Sequence, residues 1–123
     1  MFGFGKSEMQ NSSFNNALIA SIGDSVRKNE RFPTEDELFS TITSLAKGQK
    51  ISQSQVNSVR ACALEINNFS WAETELMPLI KGMNKELRTG VRVNYDKIVA
   101  LLITHAVIIS DDALDFMKQY GLK

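Results

Sequence analysis

Residues 51–56 read ISQSQV and carry the pattern of a helix N-terminus. The Ser52 hydroxyl can accept a hydrogen bond from the backbone N–H of Gln55, and the Gln55 side chain can accept one from the backbone N–H of Ser52. Ile51 and Val56 stand at the two positions of a hydrophobic staple. We therefore expect a helix to begin immediately after Ser52.

The same capping box recurs at two other places in the chain. Apolar residues at spacings of three and four follow each box, and this spacing predicts amphipathic helices. The sequence therefore predicts an all-α, compact single-domain bundle of five to six helices. Pro78 lies inside one of these helices and is expected to kink or divide it. The two additional boxes pair Thr34 with Glu37 and Ser70 with Glu73.

The segment from Tyr95 to Ile109 is apolar on all sides, which predicts a buried helix at the centre of the bundle. Asn94 can cap this helix. The segment is also rich in β-branched residues, so a strand is the alternative. Its length and its helical neighbours favour the helix.

The chain of 123 residues suits one domain. We expect residues 1–12 to form a flexible N-terminal lead and residues 13–123 to form a single helical domain. Phe2 and Phe4 are separated by glycine in this lead. They either dock on the body of the protein or engage a partner, and the sequence leaves both possibilities open.

Charge and hydropathy limit the compartment and the partners. The 14 basic and 14 acidic side chains cancel, so no overall charge attracts nucleic acid or an anionic membrane. A lone cysteine, Cys62, cannot form an intrachain disulfide. The longest apolar stretch has 12 residues, too few to span a bilayer, and no secretory signal pattern is present. We expect a cytoplasmic protein without a membrane partner.

Side chains that could carry catalysis are sparse. His105 is the only histidine and lies in the most apolar segment, which favours a buried structural role. Cys62 has no nucleophile motif around it, and an acidic cluster near the C-terminus suits the first turn of a helix. We therefore expect no enzymatic activity, no cofactor and no metal site. The acidic cluster comprises Asp111, Asp112 and Asp115.

Residues 45–59, LAKGQKISQSQVNSV, have several features of a helix-turn-helix. Ala46 is the small residue at which two helices would touch, and Ile51 is the apolar residue of the turn. Lys50 replaces the usual turn glycine, and Gln49 replaces an apolar residue. A recognition helix from Ser52 to Asn67 is therefore an alternative to plain packing. On that alternative, the possible DNA-contacting side chains are Lys50, Gln53, Ser54, Gln55, Asn57 and Arg60, with Ser58 also exposed.

A second basic feature is a stripe of four cations, Lys81, Lys85, Arg88 and Arg92, which step by four, three and four residues. While the helix lasts, this spacing places them on one face. A solvated face is the simplest interpretation. If the stripe lay beside the helix that starts at Ser52, it would form a basic patch that the zero net charge conceals.

These patterns favour a small non-enzymatic helical interaction protein, acting as a protein–protein adaptor or regulator. Its expected partner is another protein or a second copy of the chain. The alternative is a helix-turn-helix-like DNA-binding regulator that uses the helix from Ser52 to Asn67. The zero net charge argues against this alternative, because neutralisation of phosphates supplies most non-specific affinity for DNA.

Overall fold

The computed structural model describes residues 7–105 and residue 107. Within this part of the chain, five α-helices pack into one all-α domain, and the predicted fold class is confirmed. A single π-helical turn, Ala72–Leu76, runs directly into the fourth helix. The helices are α1 Asn11–Asn29, α2 Glu35–Ala46, α3 Gln53–Asn68, α4 Met77–Glu86 and α5 Val93–Thr104.

Two of the three predicted capping boxes are present. Thr34 and Glu37 exchange both bonds at the start of α2, and Ser52 and Gln55 do the same at the start of α3. The third prediction is wrong, because Ser70 already lies within a helical turn. Its backbone carbonyl accepts a hydrogen bond from the Thr74 hydroxyl at 3.1 Å.

The π-helical turn is the response of the chain to Pro78. Proline lacks a backbone N–H, and its ring collides with the carbonyl one turn earlier in a regular helix. Here the N–H of Met77 bonds to the carbonyl of Ala72, five residues back, and this wider turn makes room for the ring. Pro78 therefore stands in the first turn of α4, where a proline is tolerated, and the predicted division of the helix is confirmed.

The apolar core forms around α1, which packs against α2, α3 and α4. One face of α1 carries an apolar stripe at four-residue steps, and all four of its members are buried. Helix α5 packs against α4 and buries Ile98 and Leu102 completely. The members of the α1 stripe are Phe14, Leu18, Ile22 and Val26.

The bounds of α5 differ from the expectation at both ends. The helix begins at Val93, so Asn94 is not its cap; the Asn94 side chain donates to the Glu86 carboxylate instead. The helix ends at Thr104, five residues before Ile109. Ile109 lies outside the described residues.

A close contact between α1 and α4 positions the surface described below. A Cβ atom on Gly23 would lie 2.7 Å from the Met83 methyl carbon, so a larger residue here would displace the end of the Met83 side chain. The Asn84 side chain donates to the Gly23 carbonyl at 3.3 Å.

The described residues of the expected lead, 7–12, pack against the rest of the domain. Helix α1 already begins at Asn11, and Met9 is buried. The backbone of Lys50 bonds to Ser7 at 2.9 Å and to Met9 at 2.8 Å. Phe2 and Phe4 lie outside the described residues. No helix in the described part of the chain combines the length and apolar character needed to cross a bilayer.

Candidate functional site

The turn between α2 and α3 differs from that of a standard helix-turn-helix. Lys47 and Gly48 both adopt the left-handed conformation, with φ angles of 52° and 88°. Lys47 is the C-cap of α2, and Gly48, which adopts this conformation without strain, follows it directly. The glycine therefore belongs to the end of α2, two residues before the position at which a recognition turn would use it.

Gln55, the third residue of α3, does not face solvent. Its side chain is buried, and its Nε2 donates to the Met9 carbonyl at 2.7 Å and to the Asn11 side chain at 3.0 Å. Ser58 is buried as well. The expectation that Gln55 and Ser58 are exposed is therefore wrong, because the N-terminal segment and the start of α1 cover this side of α3.

The other candidate DNA-contacting residues are exposed. Gln53 donates to the Asn57 side chain at 3.1 Å, one turn along the helix. The start of α3 thus keeps an exposed polar face, but Gln55 is not part of it and is not available for a base contact. The exposed candidates are Lys50, Gln53, Ser54, Asn57 and Arg60.

Of the four cations of the predicted basic stripe, only Lys81 and Lys85 lie on α4, which ends at Glu86 before Arg88 and Arg92. These two lysines lie across a groove from the end of α1. Lys81 and Lys85 line this groove, which has a volume of about 580 Å³, together with Arg27 and Lys28 of α1. Glu30 is the one carboxylate among the lining residues. We call this feature the basic groove: four cationic side chains from two helices face a single acidic one.

The lining of the basic groove also has an apolar part. Val26 is buried and Met77 is half-buried, and both line the groove. Arg27 pairs with Asp24 one turn before it, which offsets part of its charge. Within the described residues, Lys28, Lys81 and Lys85 form no ion pair. The groove therefore combines uncompensated positive charge with apolar surface.

The basic groove does not lie beside the start of α3. Gln55 contacts Asn11 at the first turn of α1, whereas the groove is lined by residues 26–30 at the other end of that helix. At 1.5 Å per residue, these ends are about 22 Å apart along α1. The lysines of the stripe and the start of α3 consequently do not form one patch.

Residues 87–93, which join α4 to α5, read LRTGVRV and expose three large apolar side chains. Leu87 is 67% exposed, Val91 49% and Val93 52%. Arg88 and Arg92 of the basic stripe alternate with them, and both are exposed. We call the side chains of Leu87, Val91 and Val93 the apolar tip. The basic groove and the apolar tip together are called the α4 surface.

A second cluster, which the sequence did not predict, surrounds His105. Its ring stacks on Trp71 with 3.8 Å between the ring centroids and 2° between the planes. Glu65 accepts a hydrogen bond from the Trp71 indole at 3.0 Å and lies 3.8 Å from the His105 Nδ1. The His105 side chain is 27% exposed, so the expected full burial is wrong. The cluster joins the end of α3 to the end of α5.

The remaining candidates for chemistry contribute little to a site. Cys62 is fully buried, and burial raises the pKa of its thiol to about 12, which disfavours the reactive thiolate. No group of three or more potential metal ligands comes together in the part of the chain that the structure describes. The acidic cluster of Asp111, Asp112 and Asp115 lies outside that part.

The α4 surface is thus the most distinctive exposed feature of the described chain. In comparisons with known proteins, no family model, no curated protein and no solved structure matches this chain. The function is therefore argued from the chemistry of the α4 surface itself.

Proposed function

We propose that this chain is a non-enzymatic protein-binding module, an adaptor or regulator that binds a partner protein through the α4 surface. The observation that carries the proposal is the apolar tip, whose three side chains are each about half exposed or more. Exposed apolar patches mark interaction sites when their side chains are contiguous, and the three side chains of the tip lie within seven residues of one another in the sequence. Burial against a partner removes this surface from water and favours binding.

The arginines of the tip support a protein partner. Arg88 and Arg92 flank the apolar side chains, and arginine is enriched in protein interfaces, where its planar guanidinium pairs with carboxylates. The Arg92 guanidinium already lies 4.1 Å from the Tyr95 ring centroid, which holds this side chain against α5. A partly ordered arginine loses less conformational entropy when a partner binds.

A different protein fits the α4 surface better than a second copy of the chain. A two-fold dimer brings the same patch of both subunits together, so the patch must be self-complementary. Four cations and one carboxylate line the basic groove. Two such grooves would repel each other, and we therefore propose a partner that carries negative charge at its contact surface.

The alternative, DNA binding through the helix from Ser52 to Asn67, has weaker support. Its exposed polar side chains could contact bases or phosphates. However, the Gln55 side chain already donates hydrogen bonds to Met9 and Asn11. The basic groove lies at the other end of α1. The zero net charge adds no general attraction to DNA.

Matched substitutions test the proposal. Leu87 and Leu64 are both leucines on helical surfaces, 67% and 57% exposed, but only Leu87 belongs to the α4 surface. Partners are captured by cross-linking from cells that express the chain, identified by mass spectrometry, purified, and titrated calorimetrically against wild type, Leu87→Gln and Leu64→Gln. We expect a protein partner whose Kd rises about tenfold with Leu87→Gln and stays near wild type with Leu64→Gln.

Two results would contradict the proposal. One is a protein partner that binds Leu87→Gln as tightly as wild type. The other is duplex DNA that binds the chain more tightly than any captured protein and loses affinity when Gln53 and Arg60 are replaced by alanine. The second result would make α3 the binding helix.

A further inference from the structure

We infer that the basic groove binds an acidic peptide segment of the partner in which two carboxylates flank an apolar side chain; this inference rests on the proposed function. The groove presents positive charge from two helices, with Arg27 and Lys28 on one wall and Lys81 and Lys85 on the other. A segment lying between the helices contacts both walls. Charge complementarity therefore selects an acidic ligand.

The spacing of the lysines on α4 sets the spacing of the carboxylates. Lys81 and Lys85 are one helical turn apart, which places their Cβ atoms about 6 Å from each other. Two glutamates four residues apart on a helical peptide have the same separation. A helical segment can therefore pair one carboxylate with each lysine.

The apolar lining selects the residue between the carboxylates. Val26 and Met77 are the apolar residues that line the groove. The Met77 side chain is unbranched and polarizable, and it can adjust to apolar groups of different shape. A leucine or methionine of the peptide would be removed from water at this point.

The same features disfavour a duplex or a membrane as the occupant. The groove is concave and its volume is about 580 Å³, which suits the side chains of a short segment rather than a flat lipid surface. The partner segment can place its apolar residue away from its charges, which a phosphate backbone cannot do.

A fluorescence anisotropy titration tests the inference. The probe is a labelled peptide with two glutamates four residues apart and one leucine between them, and its control is the same peptide with glutamine in place of both glutamates. Both are titrated with wild type, with Lys81→Glu/Lys85→Glu, and with Lys50→Glu/Arg60→Glu. The two double variants change the net charge equally, but Lys50 and Arg60 lie on the α3 side of the molecule. Duplex DNA and phosphatidylserine vesicles are tested in parallel.

We expect the glutamate peptide to bind wild type at low salt at least about tenfold more tightly than the glutamine peptide. The Lys81→Glu/Lys85→Glu change should weaken binding by about tenfold or more, because it removes two attractions and adds two repulsions. The Lys50→Glu/Arg60→Glu change should leave the Kd within about twofold. Added salt should weaken binding, since exposed charges are screened beyond about 8 Å at physiological ionic strength.

The inference is overturned if both double variants bind the glutamate peptide alike, if the two peptides bind equally well, or if the duplex or the vesicles bind more tightly than the peptide. Its failure is separable from failure of the proposed function. A captured protein partner that depends on Leu87 but competes with neither peptide would leave the proposed function standing and exclude the acidic segment. Absence of a Leu87-dependent partner would overturn the proposed function itself.

Discussion

The start of α3 and the surface of α4 have similar sequence patterns but different environments. Each combines an apolar stripe with polar or basic side chains on the other side of a helix. At the start of α3, the central polar residue, Gln55, is buried and bonded to Met9 and Asn11. On α4, Lys81 and Lys85 are exposed and line a groove. The hydropathy pattern alone therefore does not distinguish a polar side chain that is buried and hydrogen-bonded within the domain from one that is exposed and available to a partner.

The largest expected effect contrasts the two faces of α4. Ile80 is completely buried, so Ile80→Ala should lower the free energy of unfolding by about 2–5 kcal/mol through lost burial and a residual cavity. Leu87→Ala, on the exposed face, should change it by about 0.5 kcal/mol or less. Urea denaturation followed by circular dichroism measures both. Equal losses for the two variants would mean that the apolar tip belongs to the core.

A smaller effect should separate Gln55 from its neighbour Gln53. Gln55→Ala leaves the Met9 carbonyl and the Ser52 N–H without the partner they have now, and it should cost about 1–3 kcal/mol. Gln53→Ala removes an exposed bond to Asn57 and should cost about 0.5 kcal/mol or less. Urea midpoints compare the two. If Gln53→Ala proved the more damaging, Gln55 would be available for binding after all.

The smallest expected effect concerns the two capping boxes, of which only that of α2 can titrate. Hydrogen bonds from Arg31 and from the Thr34 backbone lower the pKa of the Glu37 carboxyl from 4.5 to about 2. Because the folded pKa lies below the unfolded one, the stabilisation is fully present above about pH 4.5 and is lost as the pH falls through about 2. Both Arg31 and Glu37 are exposed, so solvent screening keeps the effect small.

Urea midpoints of wild type and Glu37→Gln, measured between pH 6 and pH 2, check this prediction. We expect wild type to be the more stable protein at the upper end and the difference to shrink towards the lower end. The Ser52 box needs no titrating group, so the Gln55→Ala difference should stay nearly constant over the same range. If the urea midpoints of wild type and Glu37→Gln fell in parallel as the pH is lowered, the assignment of the lowered pKa to Glu37 would be contradicted.

Local features of the fold could be predicted from the sequence, and contacts between distant segments could not. The boxes at Thr34 and Ser52 depend on residues three apart, and both form. The box at Ser70 does not form, because the chain there adopts helical turns that widen to accommodate Pro78. The sequence predicted an irregularity at Pro78 but did not predict that it takes the form of a π-helical turn.

The candidate site depended on contacts that sequence spacing does not reveal. The spacing of Lys81 and Lys85 on α4 could be predicted, but their place beside Arg27 and Lys28 depends on the contact of Gly23 with Met83 and Asn84. The burial of Gln55 depends on Met9, 46 residues away. One local signal existed: a glutamine at the third position of a capping box is folded back towards the backbone and is a poor candidate for a base contact.

The central claim is that binding takes place on α4 and not on α3, and a nuclear magnetic resonance titration tests it most directly. Amide shifts of the ¹⁵N-labelled chain are followed as the captured partner, or the glutamate peptide, is added. We expect the perturbed amides to cluster at residues 24–30 and 77–93, with little change at residues 50–60. Perturbations concentrated at residues 50–60, with the end of α1 and α4 unchanged, would contradict the account.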